Sequence, residues 1–119
     1  MVVDDNVDAA TTVAMLLKID GHTVSIAHTA EDALARLEAG SLNAPQAFLL
    51  DIGLPGIDGF DLARRLRAAS ATSGATLIAL TGYGQPQDRE KSKAAGFDHH
   101  IEKPVDPDRL LTLLAGLQL

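Results

Sequence analysis

The sequence predicts a single α/β domain: a doubly wound, five-stranded parallel sheet with helices on both faces. Three observations carry that expectation. Short apolar runs alternate with helical-period segments along the whole chain. The run Ala47-Phe48-Leu49-Leu50 is apolar at every position, as a strand buried on both faces must be. The connections are short, and short strand–helix–strand links give parallel pairing with right-handed crossovers.

Each element has its own signal. Met1-Val2-Val3 reads as a strand end, opening so abruptly that the chain looks clipped from something longer or started with little to spare. Asp4-Asp5-Asn6 breaks it, and Ala9, Val13, Leu16 and Leu17 then mark one helical face, stopped by Asp20-Gly21. Thr23 to Ala27 is β-branched enough for a second strand. Thr29 fits a helix N-cap, with Asp32 three residues on, ahead of Ala33, Leu34 and Leu37. Residues Gly40 to Pro45 form a loop, and the central strand ends at Asp51.

The third helix is expected from Gly59 to Ala69, with Phe60, Ala63, Leu66 and Arg67 at helical spacing. A turn-rich stretch, Ser70 to Gly74, precedes a buried strand from Thr76 to Leu80 that closes on Thr81-Gly82. Pro86 suits the first turn of a polar, Ala-rich helix ending at Ala95-Gly96. His99 to Glu102 is the last strand, closed by Lys103-Pro104. Asp106-Pro107 caps and opens a final helix carrying Leu110, Leu111, Leu113, Leu114 and Leu117.

Composition narrows the function. With 119 residues there is room for one real core, and 46% hydrophobic with 22% charged residues suits a soluble domain spanning 1–119. The absence of Cys excludes disulfides, thiolate metal sites and a Cys nucleophile. A net charge of −6 argues against nucleic-acid binding. The basic cluster Arg64-Arg65-x-Arg67 is expected on a solvated helix face. No apolar stretch approaches the ~20 residues of a membrane span and no signal peptide is visible, so a cytoplasmic location is expected.

The chemistry lies at the strand ends. Asp4 and Asp5 follow the first strand, Asp51 the third, Thr81 the fourth and Lys103 the fifth. In a parallel sheet these ends share one edge, where open α/β sheets bind ligands. Two carboxylates about 4 Å apart repel by roughly 4 kcal/mol at an effective dielectric near 20. Lys103 offsets one charge, and an all-oxygen ligand set favours Mg²⁺ for the remainder. Mg²⁺ commonly shares its shell with a phosphate, and a carboxylate can attack phosphorus to form an aspartyl phosphate. Asp51, on the central strand, is the natural nucleophile; Lys103 spreads transferring charge and Thr81 donates a hydroxyl. The histidines show no metal-ligand spacing and are expected as surface or satisfied residues.

The segments VVDDN (2–6), LLDIGLPGIDGFDLAR (49–64), ALTGYG (79–84) and AGFDHHIEKPVDP (95–107) together resemble the receiver domains of two-component response regulators over essentially the whole chain. That resemblance implies a flavodoxin-like strand order 2-1-3-4-5. It implies that Asp51 takes a phosphoryl group from a phosphohistidine on a sensor histidine kinase or a histidine phosphotransfer domain. Asp4 and Asp5 would bind Mg²⁺ with Asp51 and the backbone carbonyl of Gly53. Thr81 and Lys103 would contact the phosphoryl group, and Pro104 would be cis. Phosphorylation would then bias two states of the helix after Thr81, the last strand and the last helix. A homodimer through that last helix and its neighbours is a further expectation.

Two positions depart from the pattern. Receivers often carry Tyr or Phe three residues before the Lys, as a switch partner of the Thr; here His100 holds that place. Gly53 brings no side chain to shield an acyl phosphate, whereas Tyr83 is placed to cover part of the approach. The style of residues 80–107 resembles receivers attached to hybrid sensor kinases more than those attached to DNA-binding domains. The alternatives are a haloacid-dehalogenase-like phosphatase, which normally needs an acid where Gly53 stands, and a degenerate receiver used only for protein contacts. A flavin-binding protein is disfavoured because Asp4-Asp5-Asn6 would repel the flavin phosphate.

Overall fold

Alternation between buried runs and amphipathic helices folds, in a computed structural model, into a three-layer α/β sandwich. The structure describes residues 1–40, 45–82 and 89–117, with the backbone alone at Arg89. Elements follow the order β1 (Val2–Val3), α1 (Val7–Ile19), β2 (Ile26–Ala27), α2 (Ala30–Glu38), β3 (Ala47–Asp51), α3 (Gly59–Ala68), β4 (Thr76–Thr81), α4 (Arg89–Ala95), β5 (His99–Glu102) and α5 (Pro107–Ala115). The sheet order is β2-β1-β3-β4-β5, and every pairing is parallel. The chain turns back at β1, so the switch point of the topology lies between β1 and β3, where Asp4 and Asp51 emerge.

Side-chain alternation divides the core between the two faces. Val3, Phe48, Leu50, Leu77 and Ala79 pack toward Ala30, Ala33, Leu62 and Leu66 of α2 and α3. Val2, Leu49, Ile78, Leu80 and Ile101 pack toward Ala10, Val13 and Leu17 of α1 and Leu110 and Leu114 of α5. With so few aromatics, aliphatic interdigitation fills both layers. Phe60 and Phe97 meet edge to face at 6.0 Å beneath α4.

The caps follow from sequence. Asn6, Thr29, Asp58 and Asp106 each accept a bond from a backbone N–H in the first turn of the helix that follows. Gly59 opens α3 because nothing larger fits: a Cβ there would lie 2.5 Å from the Asp51 carbonyl oxygen and 2.6 Å from the Ile52 Cα. Gly96 ends α4 at φ +102° with the Arg67 side chain against it.

Three expectations need correction. The second strand is only Ile26–Ala27, not Thr23–Ala27, because β1 offers just two residues for pairing. The third helix stops at Ala68, since Ala69 turns to extended backbone (ψ 130°). Arg67 is not on a solvated face: its guanidinium bonds the carbonyls of Gly96, Ser73 and Ala75 and pairs with Asp98 at 2.7 Å. Arg64 does fit the expectation, half exposed beside Asp61. The expected helix start at Pro86 and the cover expected from Tyr83 lie outside the described residues.

Candidate functional site

Strand ends at the C-terminal edge gather the acids. Asp4 follows β1 and is buried, Asp51 closes β3 and is buried, and Asp5 beside them is exposed. One carboxylate oxygen from each lies within 4.8 Å of the others. Lys103, just past β5, reaches back between the two buried acids. Its Nζ lies 2.7 Å from Asp4 Oδ2 and 3.2 Å from Asp51 Oδ2. Three carboxylates against one ammonium leave negative charge uncompensated in a partly desolvated pocket.

Electrostatics follow from burial. Burial pushes the Asp4 carboxyl above the usual range, more than the Lys103 contact and the Asn6 amide lower it. Burial would also lower Lys103, but the two carboxylates outweigh it and hold its pKa above the ordinary value.

Backbone groups hold the acids in register. The Asn6 N–H donates to Asp4 Oδ1 at 3.0 Å, and the Gly53 N–H donates to Asp51 Oδ1 at 2.9 Å. The Asp4 N–H continues the ladder to the Ala27 carbonyl. Glu31, on α2, accepts from the Ile57 N–H and steadies the loop beyond Asp51, a contact 26 residues apart in sequence. Its own backbone N–H, and then that of Ile57, hold the Glu31 carboxyl below its usual range.

Thr81 ends β4 one residue beyond Leu80, the register partner of Asp51. Its Oγ1 is buried and has no hydrogen-bond partner among the described residues, a state that costs about 1–3 kcal/mol. His100 lies two residues short of the partner of Thr81, so both side chains belong to the sheet face under α3 and α4. The His100 ring is tilted against Phe97 at 6.2 Å. The Lys103–Pro104 peptide is cis. Asp4, Asp5, Asp51 and Lys103 therefore form one cluster. Thr81 and His100 lie along the neighbouring rung, and Gly53 lies against Asp51.

Some site residues had no clear signal in the sequence. His28 is one: its ring binds the Asp4 carbonyl at 3.0 Å. Glu31 is another, because its partner Ile57 is distant in the chain. Asp58 caps α3 and accepts the Asp61 N–H at 2.9 Å.

Comparison with known proteins places this geometry. Protein PilH of Pseudomonas aeruginosa is 34% identical over 98% of this chain and 97% of its own length. Transcriptional regulatory protein TcrA of Mycobacterium tuberculosis is 32% identical over 98% of this chain, which spans only 44% of that relative. A crystal structure of a putative response regulator from Chloroflexus aurantiacus superposes with a TM-score of 0.85 at 30% identity, covering 95% of this chain and 90% of its own. The response regulator receiver domain family matches residues 1–115. With the acids and the lysine meeting at the edge of a 2-1-3-4-5 sheet, the chain belongs to the response regulator receiver domains of two-component signalling.

Proposed function

We propose that Asp51 is the phosphoacceptor of this receiver and that Asp4, Asp5 and Asp51, with the Gly53 carbonyl, hold Mg²⁺. The observation that carries the reading is the sharing of one ammonium by two buried carboxylates, with a third acid exposed beside them. The donor set is all oxygen and its excess negative charge suits a hard divalent cation. Bound there, Mg²⁺ supplies positive charge against the oxygens of a transferring phosphoryl group.

The chain's own residues do the rest. An Asp51 carboxylate oxygen attacks the phosphorus of a phosphohistidine. The P–N bond breaks, the imidazole leaves, and Asp51 becomes a mixed anhydride. Lys103, already in contact with Asp51, pairs with the new phosphoryl oxygens. The Thr81 hydroxyl, buried and without a hydrogen-bond partner among the described residues, turns to one of them and carries the change from β4 to His100 on β5. No side chain at Gly53 covers the anhydride; even a Cβ there would lie 3.5 Å from Asp51 Oδ1.

The donor is a sensor histidine kinase or a histidine phosphotransfer domain. Support comes from α1 beside the site, where Val7, Met15 and Ile19 stand exposed. A groove of about 650 Å³ also runs between α1 and the segment after β5, starting at Asp4 and Lys103. The segment from Leu80 to Pro107 supports service as the receiver module of a hybrid sensor kinase. Among the described residues no helix is long and apolar enough to cross a membrane.

Incubation with Mg²⁺ and acetyl phosphate, followed by intact mass, tests the reading. One base-labile phosphoryl group is expected on the wild type and none on Asp51→Asn. An adduct that persists in that variant removes Asp51 from the role.

A further inference from the structure

We propose that His28 is a positioning residue that fixes the peptide between the two acids Asp4 and Asp5. The inference deepens the metal-site reading above and rests on it. In a parallel ladder the bonds recur evenly along the strand. Here Val2 N–H donates to Ser25 O and Asp4 N–H donates to Ala27 O. The next rung would take an N–H from Thr29 to the Asp4 carbonyl. Thr29 instead leaves the sheet to cap α2, its side chain accepting the Asp32 N–H at 3.0 Å.

The His28 ring supplies the missing rung. Its Nδ1 lies 3.0 Å from the Asp4 carbonyl oxygen. A carbonyl only accepts, so Nδ1 carries the hydrogen, which sets the tautomer. That carbonyl belongs to the peptide joining Asp4 to Asp5, and its orientation sets where the Asp5 side chain begins. Asp4 is otherwise held through its N–H, its Oδ1 and Lys103. Asp5 is exposed, and its place beside the buried acids depends on the peptide that His28 holds. Groups that orient metal ligands in this way change affinity without touching the ion.

The experiment is calorimetric titration of the whole chain with Mg²⁺, alongside a thermal melt and the ¹³C shift of the Asp4 carbonyl. His28→Leu is expected to bind Mg²⁺ about tenfold more weakly, with the Asp4 carbonyl shift moved. His28→Asn places its amide nitrogen where Nδ1 stands, and is expected to stay within about twofold of wild type. His28→Gln, whose amide reaches too far, should follow His28→Leu, and the Asn/Gln pair decides if the Leu variant does not fold. A His28→Leu protein that loses melting temperature yet binds Mg²⁺ as wild type overturns the proposal, as does Asn behaving like Gln. Wild type showing no Mg²⁺ binding, or Asp5→Asn binding unchanged, overturns the metal-site reading itself.

Discussion

Lys103 shows how one residue serves two masters. It pairs with both Asp4 and Asp51, at 2.7 and 3.2 Å, and its own side chain is only 23% exposed. Removing it leaves two buried carboxylates facing each other. Lys103→Ala should therefore lose about 2–3 kcal/mol in EDTA, discounted for its partial exposure. Millimolar Mg²⁺ should recover much of that loss, because the cation replaces the missing charge. Thermal melts with and without Mg²⁺ check this; an equal loss in both buffers would assign Lys103 to packing alone. Thr81 is the complementary case, read from the sequence as a hydroxyl donor at its strand end and found buried with no hydrogen-bond partner among the described residues.

At the scale of elements, one long-range tie holds a loop beside the site and a second holds the opposite edge of the sheet. Glu31 on α2 accepts the Ile57 N–H in the segment between β3 and α3. Its carboxyl is held below its ordinary value by hydrogen bonds that favour the charged form. A depressed carboxylate contributes stability that is present above its unfolded pKa and lost as pH falls through the folded one. Wild type should thus melt above Glu31→Gln at pH 7, with the gap closing as the pH falls below 4.5. A gap that persists at pH 3 would mean that charge is not its origin. Arg67 ties the end of α3 to the turn after α4 and to Asp98, which in turn accepts the Leu77 N–H. Arg67→Met should cost about 2–4 kcal/mol through carbonyls left unpaired. Hydrogen exchange should speed in α4 and β5 and stay unchanged in α1. Arg67→Lys should not rescue it, since one ammonium cannot span several carbonyls.

At the scale of the whole molecule, the parallel sheet is what turns a sequence pattern into a site. The parallel strands end at the same edge, so Asp51 and Thr81 at strand ends, and Asp4 and Lys103 just past them, come to that edge from four places in the chain. Those residues were legible because polar groups ending apolar runs stand out against the buried strands. The Thr29 and Asp106 caps were legible for a local reason, as a cap bonds within its own first turn. His28, Glu31 and Arg67 were not, since nothing local distinguishes them from exposed polar residues.

By itself the sequence determined the element order, the parallel sheet and the identity of the acids, because these depend on periodicity and neighbours a few residues apart. Tertiary structure alone decided the two-residue length of β2, the insertion of Lys103 between two acids, and the guanidinium under α4. It also decided the imidazole that completes a broken ladder. The physical reason is that such bonds join groups far apart in the chain, and their partners are chosen only when packed faces bring them within 3 Å or so.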